Sequence, residues 1–170
     1  LASILIISVT IYQYGEQTID YNASRFGRKE QTAKKRINGD ISQDPTIKVT
    51  SKNLDSIFEK SIYKIADIHS LDITMYDLEG NFLKTSIPYG LKDSIPLGIP
   101  KEVVAQLFNS AEAKILDIVP AEDFNLEISY TYLLDPIAKR IGILKLEFKS
   151  GETVHVALSP VFVAETETVT

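Results

Sequence analysis

The stretch from Asp67 to Ser86 most constrains the fold, because its side-chain periodicity changes from helical to extended and the chain then reverses direction. The helical pattern ends near His69, and side chains then alternate between two faces from Asp72 to Leu78, as in a strand. A tight turn follows at Gly80, which can take positive φ at no steric cost, and a second strand runs from Phe82 to Ser86. A helix that leads into a hairpin indicates an α+β domain.

Three further strands are predicted in the C-terminal half of the chain. The same alternation, bounded by turn residues, places them at Lys114–Val119, Leu126–Leu134 and Arg140–Phe148. With the first hairpin they make five strands, which we expect to form one antiparallel sheet. The chain has 170 residues, of which 44% are hydrophobic, enough for one domain with a core of its own.

Two shorter helices are predicted between these strands. The first begins near Asn53, with Ser51 or Asn53 as its N-cap, and ends near His69. The second runs from Lys101 to Asn109, with Pro100 at its N1 position. Apolar residues recur every three or four positions in both, and these faces should lie on the sheet; they comprise Ile57, Phe58, Ser61, Ile62, Ile65 and Ile68 in the first helix, and Val103, Val104, Leu107 and Phe108 in the second.

The N-terminal segment Leu1–Tyr14 carries no charge and ends among tyrosines, which are enriched at membrane interfaces. As a helix it would span about 21 Å, short of a hydrocarbon core of roughly 30 Å. We expect residues 1–14 to be the outer half of a transmembrane helix that upstream residues complete. A signal-peptide core and a buried core helix are the alternatives.

Residues 15–40 are predicted to continue this helix as a long membrane-proximal segment that ends at Gly39 and Asp40. A weak seven-residue repeat runs along it, formed by Leu5, Tyr12, Ile19, Phe26 and Ala33, with Val9, Ala23 and Ile37 beside it. This stripe either pairs with its copy in a homodimer or covers the domain's own sheet. Charges at Glu16 and Glu30, where apolar residues are expected, favour the second interpretation for the distal half.

Residues 65–83 resemble the extracytoplasmic PAS-like or Cache-like region of bacterial membrane-bound sensor histidine kinases. In that family the first hairpin has a characteristic pattern: a strand, then Tyr-Asp, an apolar and a polar residue, glycine, a polar residue and two apolar residues. Tyr76 to Leu83 match this pattern. The resemblance covers roughly residues 1–148. It implies a PAS/Cache-like sensor domain over 41–148, with a long N-terminal helix and a second helix packed on a five-stranded antiparallel sheet, and it leaves 149–170 as a tail of uncertain structure.

The same resemblance implies an extracytoplasmic signal-sensing module of a two-component sensor histidine kinase. Such a module sits at the inner (cytoplasmic) membrane on its periplasmic side, forms a homodimer, and couples an unknown small-molecule ligand or envelope component to a transmembrane helix. The alternative is a membrane-anchored binding or scaffold domain of the cell envelope without signalling output.

Six residues are candidates for ligand contact. The strand residues Tyr76, Tyr130 and Tyr132 could offer hydroxyl groups, although aromatic residues on strands more often belong to the core. The apolar loop between the first hairpin and Pro100 covers the pocket in Cache-like domains, so the resemblance adds Tyr89, Leu91 and Leu97 as pocket walls. Filling of a small core is the alternative for these three.

Catalytic, metal and nucleic-acid functions find no support in the residue pattern. The chain has no cysteine, a net charge of −5 and no basic block, so nucleic acid is not an expected partner. It shows no nucleophile motif, phosphate loop or metal-ligand spacing, and it lacks the ATP-binding and phosphoacceptor motifs of the kinases it resembles. We therefore expect no enzyme activity, cofactor or metal in these residues. Acidic residues near the third and fourth strands are interpreted as a solvated surface: Asp117, Glu122, Asp123 and Glu127.

Overall fold

A five-stranded antiparallel sheet forms the centre of this α+β protein. The computed structural model describes residues 25–88 and 98–151. The strands are β1 (Asp72–Tyr76), β2 (Phe82–Thr85), β3 (Lys114–Pro120), β4 (Asn125–Leu134) and β5 (Arg140–Ser150). Their order in the sheet is β2-β1-β5-β4-β3, so the last strand lies between the first and the fourth. The predicted sheet of five antiparallel strands is confirmed.

Helices pack on both faces of this sheet. Residues 25–41 form α1, and the other helices are α2 (Leu54–Ile57), α3 (Ser61–His69) and α4 (Lys101–Asn109). The larger apolar cluster joins α1, α2 and α3 to one face, with Phe26, Ile62 and Leu146 among its members. A smaller cluster on the other face joins Leu107 of α4 to Ile143 of β5.

The segment predicted as a single helix from Asn53 to His69 is two helices, α2 and α3, separated at residues 58–60. Asn53 does precede α2, but its side chain makes no cap; its Oδ1 instead accepts a hydrogen bond of 2.7 Å from the N–H of Thr50. Leu54 and Ile62 are both fully buried, so packing on the sheet holds the chain on either side of the break. The prediction that Ile68 faces the sheet is wrong, because it is 63% exposed.

The hairpin turn at Gly80 is confirmed, with φ of +88° at that residue. β1 nevertheless ends at Tyr76 instead of Leu78, because the Asp77 carboxylate accepts hydrogen bonds from the N–H groups of Glu79 (3.0 Å) and Asn81 (2.7 Å). Such a side-chain bond starts a turn in place of the strand ladder.

Two other predicted ends lie one or two residues further along the chain, and the position of Pro100 in α4 also differs. Helix α1 continues to residue 41, past its expected end at Gly39 and Asp40. Strand β5 continues to Ser150, so residues 149 and 150 belong to the sheet and not to the tail. Helix α4 has the predicted bounds, but Pro100 occupies the N-cap position instead of N1.

One face residue of α4 was also predicted wrongly. Leu107 is 1% exposed, as expected for the inner face, whereas Phe108 is 69% exposed. The ring of Phe108 lies instead beside Arg140, whose guanidinium carbon is 6.0 Å from the ring centroid.

Within residues 25–88 and 98–151, no helix combines the length and hydropathy needed to cross a bilayer. The proposed transmembrane segment 1–14, the loop residues Tyr89, Leu91 and Leu97, and residues 152–170 lie outside the described part of the chain.

Candidate functional site

The three strand tyrosines all belong to the cluster on the α4 side of the sheet. Tyr76 is 2% exposed and contacts Phe82 edge-on, with ring centroids 6.3 Å apart. Burial raises the pKa of the Tyr76 phenol, and the neighbouring Tyr130 and Glu147 add to this rise. Tyr76 therefore serves as a core residue of the described structure.

Tyr130 and Tyr132 are half-buried on the same face. Burial also raises the pKa of Tyr130, with smaller contributions from Glu147 and Asp117. Tyr132 lies beneath Arg140, whose guanidinium carbon is 4.1 Å from the ring centroid. Tyr132 also borders an open cavity.

That cavity, here called the Arg140 groove, has a volume of about 580 Å³. It lies where α4 meets the turn after β1 and the ends of β4 and β5. Its walls are mainly apolar, with two cations and one carboxylate; the residues that define it are Leu78, Glu79, Lys101, Val104, Phe108, Tyr132 and Arg140. Its volume falls within the range of small-molecule sites.

The opposite face of the sheet carries a buried polar cluster beneath α1, here called the Glu30 cluster. Glu30 is 2% exposed, although it lies on the helix stripe that packs against the sheet. Lys114 of β3 donates a hydrogen bond of 2.5 Å to Glu30 Oε2, and Ser129 of β4 donates one of 2.8 Å to Oε1. The two contacts satisfy both carboxylate oxygens, as a buried charge requires.

The face of β4 that reads as polar in the sequence is the face covered by α1. Glu127 and Thr131 are each 3% exposed, and among the described residues Glu127 Oε2 and the Thr131 hydroxyl have no hydrogen-bond partner. The interpretation of Glu127 as solvated is therefore wrong, while Asp117 lies exposed as expected. Glu122 and Asp123 are also exposed.

In the sequence, Glu30 stands out only as an interruption of the apolar repeat. The signal that could have identified the cluster is the pairing of two patterns: a lone acid on a buried helix stripe, and a strand whose polar face reads Glu127, Ser129, Thr131. Lys34, one turn after Glu30, has a shifted pKa. Burial lowers its pKa, and Glu30 partly offsets this while Lys114 reinforces it.

The first described residues of α1 meet the end of β5. The rings of Phe26 and Phe148 stack with centroids 5.8 Å apart and an interplanar angle of 4°. Lys29 Nζ lies 4.7 Å from the centroid of Phe148 and donates a hydrogen bond of 2.8 Å to the carbonyl of His69. Burial lowers the pKa of Lys29, and the nearby charge of Arg25 lowers it further.

In the part of the chain that the structure describes, no three or more His, Cys, Asp or Glu side chains are grouped to hold a metal ion. His69 ends α3, where its carbonyl is held by Lys29.

No protein-family model matches this chain, and no curated protein matches it. Among solved structures, a crystal structure of a C-terminal domain from Streptococcus mutans matches with 17% identity and a TM-score of 0.39. The match covers 54% of this chain and 83% of that domain.

Proposed function

We propose that this chain is the extracytoplasmic signal-sensing module of a membrane-bound sensor histidine kinase, with a PAS/Cache-like domain attached to a long membrane-proximal helix. The observation that carries the proposal is the stacking of Phe26 on Phe148, because it places the entry of α1 and the exit of β5 at one end of the sheet. A domain whose two connections leave from one end can be joined to a membrane on that side.

Close packing of α1 on the sheet supports a mechanical role for this helix. Phe26, Ala33 and Ile37 are at most 1% exposed, and Glu30 is bonded to both β3 and β4. A shift of these strands would therefore move α1 with them. If residues 1–14 lie in the bilayer, that movement reaches the membrane.

Strand β4 connects the two faces of the sheet in this mechanism. Ser129 contacts Glu30 on the α1 side, whereas the next residue, Tyr130, and Tyr132 lie on the α4 side. A ligand that binds the α4 side better in one of two arrangements would shift the equilibrium between them. A movement of β4 between the two arrangements then moves α1.

In this proposal, the homodimer does not pair through the part of the seven-residue repeat that the structure describes. Because Phe26, Ala33 and Ile37 are buried against the domain's own sheet, they are not free to pair with a second copy. Their burial favours the sheet-covering interpretation of the distal half. Leu5, Tyr12 and Ile19 continue the same repeat upstream and are the residues we assign to helix pairing.

Membrane topology tests the proposal. Alkaline phosphatase, which is active only outside the cytoplasm, is fused after Gly151 in the parent gene, and a fluorescent protein that does not mature after export is fused at the same site. We expect phosphatase activity and no fluorescence. Fluorescence without phosphatase activity would place the domain in the cytoplasm and refute the sensor assignment.

The parent coding region separates this proposal from a scaffold domain without signalling output. A second hydrophobic span followed by a dimerisation helix with a phosphoacceptor histidine is expected downstream. A coding region that ends without these features would favour the scaffold, even where the fusions report an extracytoplasmic domain.

A further inference from the structure

We infer that the Arg140 groove binds a small organic anion, such as a carboxylate, that carries an aromatic or aliphatic body. Such a ligand would place its acidic group at the guanidinium of Arg140 and its apolar body along α4. Binding there would supply the input of the proposed sensor, so this assignment of ligand class rests on that function.

The position of Arg140 is the first support. Its guanidinium carbon lies over the ring of Tyr132, 4.1 Å from the centroid, and 6.0 Å from the centroid of Phe108. Stacking engages the face of a guanidinium and leaves the N–H groups at its edge available for a carboxylate.

The absence of an ion pair at Arg140 within the described residues is the second support. Across residues 25–88 and 98–151, carboxylates form ion pairs with Arg36, Lys84, Lys114 and Lys145, but none does so with Arg140. Lys101 adds a second cation to the groove, and Glu79 is the single carboxylate in its wall. The groove therefore has a net positive charge in a chain whose net charge is −5.

Exposed apolar side chains at the groove are the third support. Phe108 is 69% exposed and Leu78 is 36% exposed, although both could have been polar without loss to the core. Exposed apolar patches mark interaction sites, and small-molecule sites combine apolar and aromatic walls with a few polar or charged groups. An inorganic anion would use only Arg140 and Lys101.

The test uses the full 170-residue chain in nanodiscs of zwitterionic lipid, titrated with 3-phenylpropionate and followed by NMR of labelled phenylalanine, tyrosine and arginine side chains. We expect saturable shifts at Phe108, Tyr132 and Arg140. The neutral 3-phenylpropionamide and the cationic 3-phenylpropylamine should bind at least ten-fold more weakly. Empty nanodiscs give the background from partition into lipid.

Arg140→Gln is expected to weaken 3-phenylpropionate binding at least ten-fold, and Phe108→Ala at least three-fold. Arg28→Gln, which removes an exposed arginine from α1, is the matched control and should bind as the unaltered chain does. Phe108 is too exposed for its truncation to unfold the domain. This variant therefore keeps the test valid if Arg140→Gln disturbs the hairpin formed by β4 and β5.

Equal binding of the acid and the amine, no saturable shift at Phe108 and Tyr132, or full binding by Arg140→Gln would each overturn the assignment. These readouts measure binding alone. They can therefore fail while the topology fusions support a sensor, or succeed while those fusions refute one.

Discussion

Glu30 shows how a single residue can depart from its sequence pattern and still fit the fold. It lies on the helix stripe formed by Phe26, Ala33 and Ile37, where an apolar side chain is expected, yet it is equally buried. Burial of a carboxylate is tolerated here because Lys114 and Ser129 satisfy both of its oxygens. The cluster thus ties α1 to two strands at one point.

Removing the two partners of this ion pair should have unequal costs. Lys114→Met leaves a carboxylate whose side chain is 3% exposed without its cation, and we expect a loss of about 3 kcal/mol in the free energy of unfolding. Glu30→Gln should cost about 1 kcal/mol, because the Lys114 side chain is 33% exposed and can be hydrated.

Urea unfolding of both variants measures this difference. Lys35→Met, at an exposed position of the same helix, is the control and should change stability by less than about 0.5 kcal/mol. Equal losses from Lys114→Met and Glu30→Gln would contradict the role assigned to burial of the carboxylate.

Tyr76 should make stability depend on alkaline pH. Its pKa in the folded chain lies above the ordinary value of 10.0, so above that pH the unfolded phenol loses its proton while the folded phenol keeps it. The stability that Tyr76 contributes is therefore lost as the pH rises from about 10. By pH 11 the unaltered chain should have lost about 1 kcal/mol more than Tyr76→Phe.

Urea unfolding at pH 8, 10 and 11 tests this linkage. Absorbance at 295 nm, which reports ionised tyrosine, gives a second readout at pH 11. The folded unaltered chain and folded Tyr76→Phe should absorb equally. When both are unfolded, Tyr76→Phe should absorb less by the contribution of one ionised tyrosine. Parallel loss of stability in the two chains would show that the Tyr76 phenol ionises in the folded state.

Among the elements, β4 shows what alternation can and cannot predict. Alternation correctly separates Tyr130 and Tyr132 from Ser129 and Thr131. It does not predict that the polar face lies beneath α1, since a polar face normally indicates solvent. Of the polar residues on that face, Ser129 bonds to a buried acid that is far away in the sequence.

Glycines in two elements should respond in opposite ways to alanine. In β5, a Cβ at Gly142 would lie 2.7 Å from the carbonyl oxygen of Tyr76, so Gly142→Ala should destabilise the protein by about 2 kcal/mol. In α1, a Cβ at Gly27 would meet nothing within 4 Å, so Gly27→Ala should stabilise it by about 0.5–1 kcal/mol.

Thermal and urea unfolding of the two glycine variants provide the measurement. Each serves as the control for the other, because both add one methyl group to a glycine in a regular element. Stabilisation by Gly142→Ala would show that β1 and β5 are less closely apposed than described.

At the scale of the whole molecule, α1 completes the domain by covering one face of the sheet. It covers apolar residues of β5, including Leu146 and Phe148, together with the polar face of β4. A chain that begins at Lys48 exposes both surfaces. We expect it to lose cooperative urea unfolding and the tyrosine near-ultraviolet circular dichroism of the intact domain.

A chain that begins at Ser24 is the control for this truncation, since it keeps every described contact of α1. It should unfold cooperatively. A cooperative transition of similar midpoint in the chain that begins at Lys48 would show that α1 is dispensable for the fold, and the proposed transmission through this helix would lose its physical basis.

Local chemistry determined much of this protein from the sequence alone. The turn at Gly80, the bounds of α4 and the two faces of β4 follow from backbone preference and side-chain period, which act over a few residues. Tertiary structure decided which of those faces is covered, and with it the burial of Glu30, the break before α3 and the position of Phe108 beside Arg140. These features depend on contacts between residues far apart in the sequence, which periodicity within one element cannot specify.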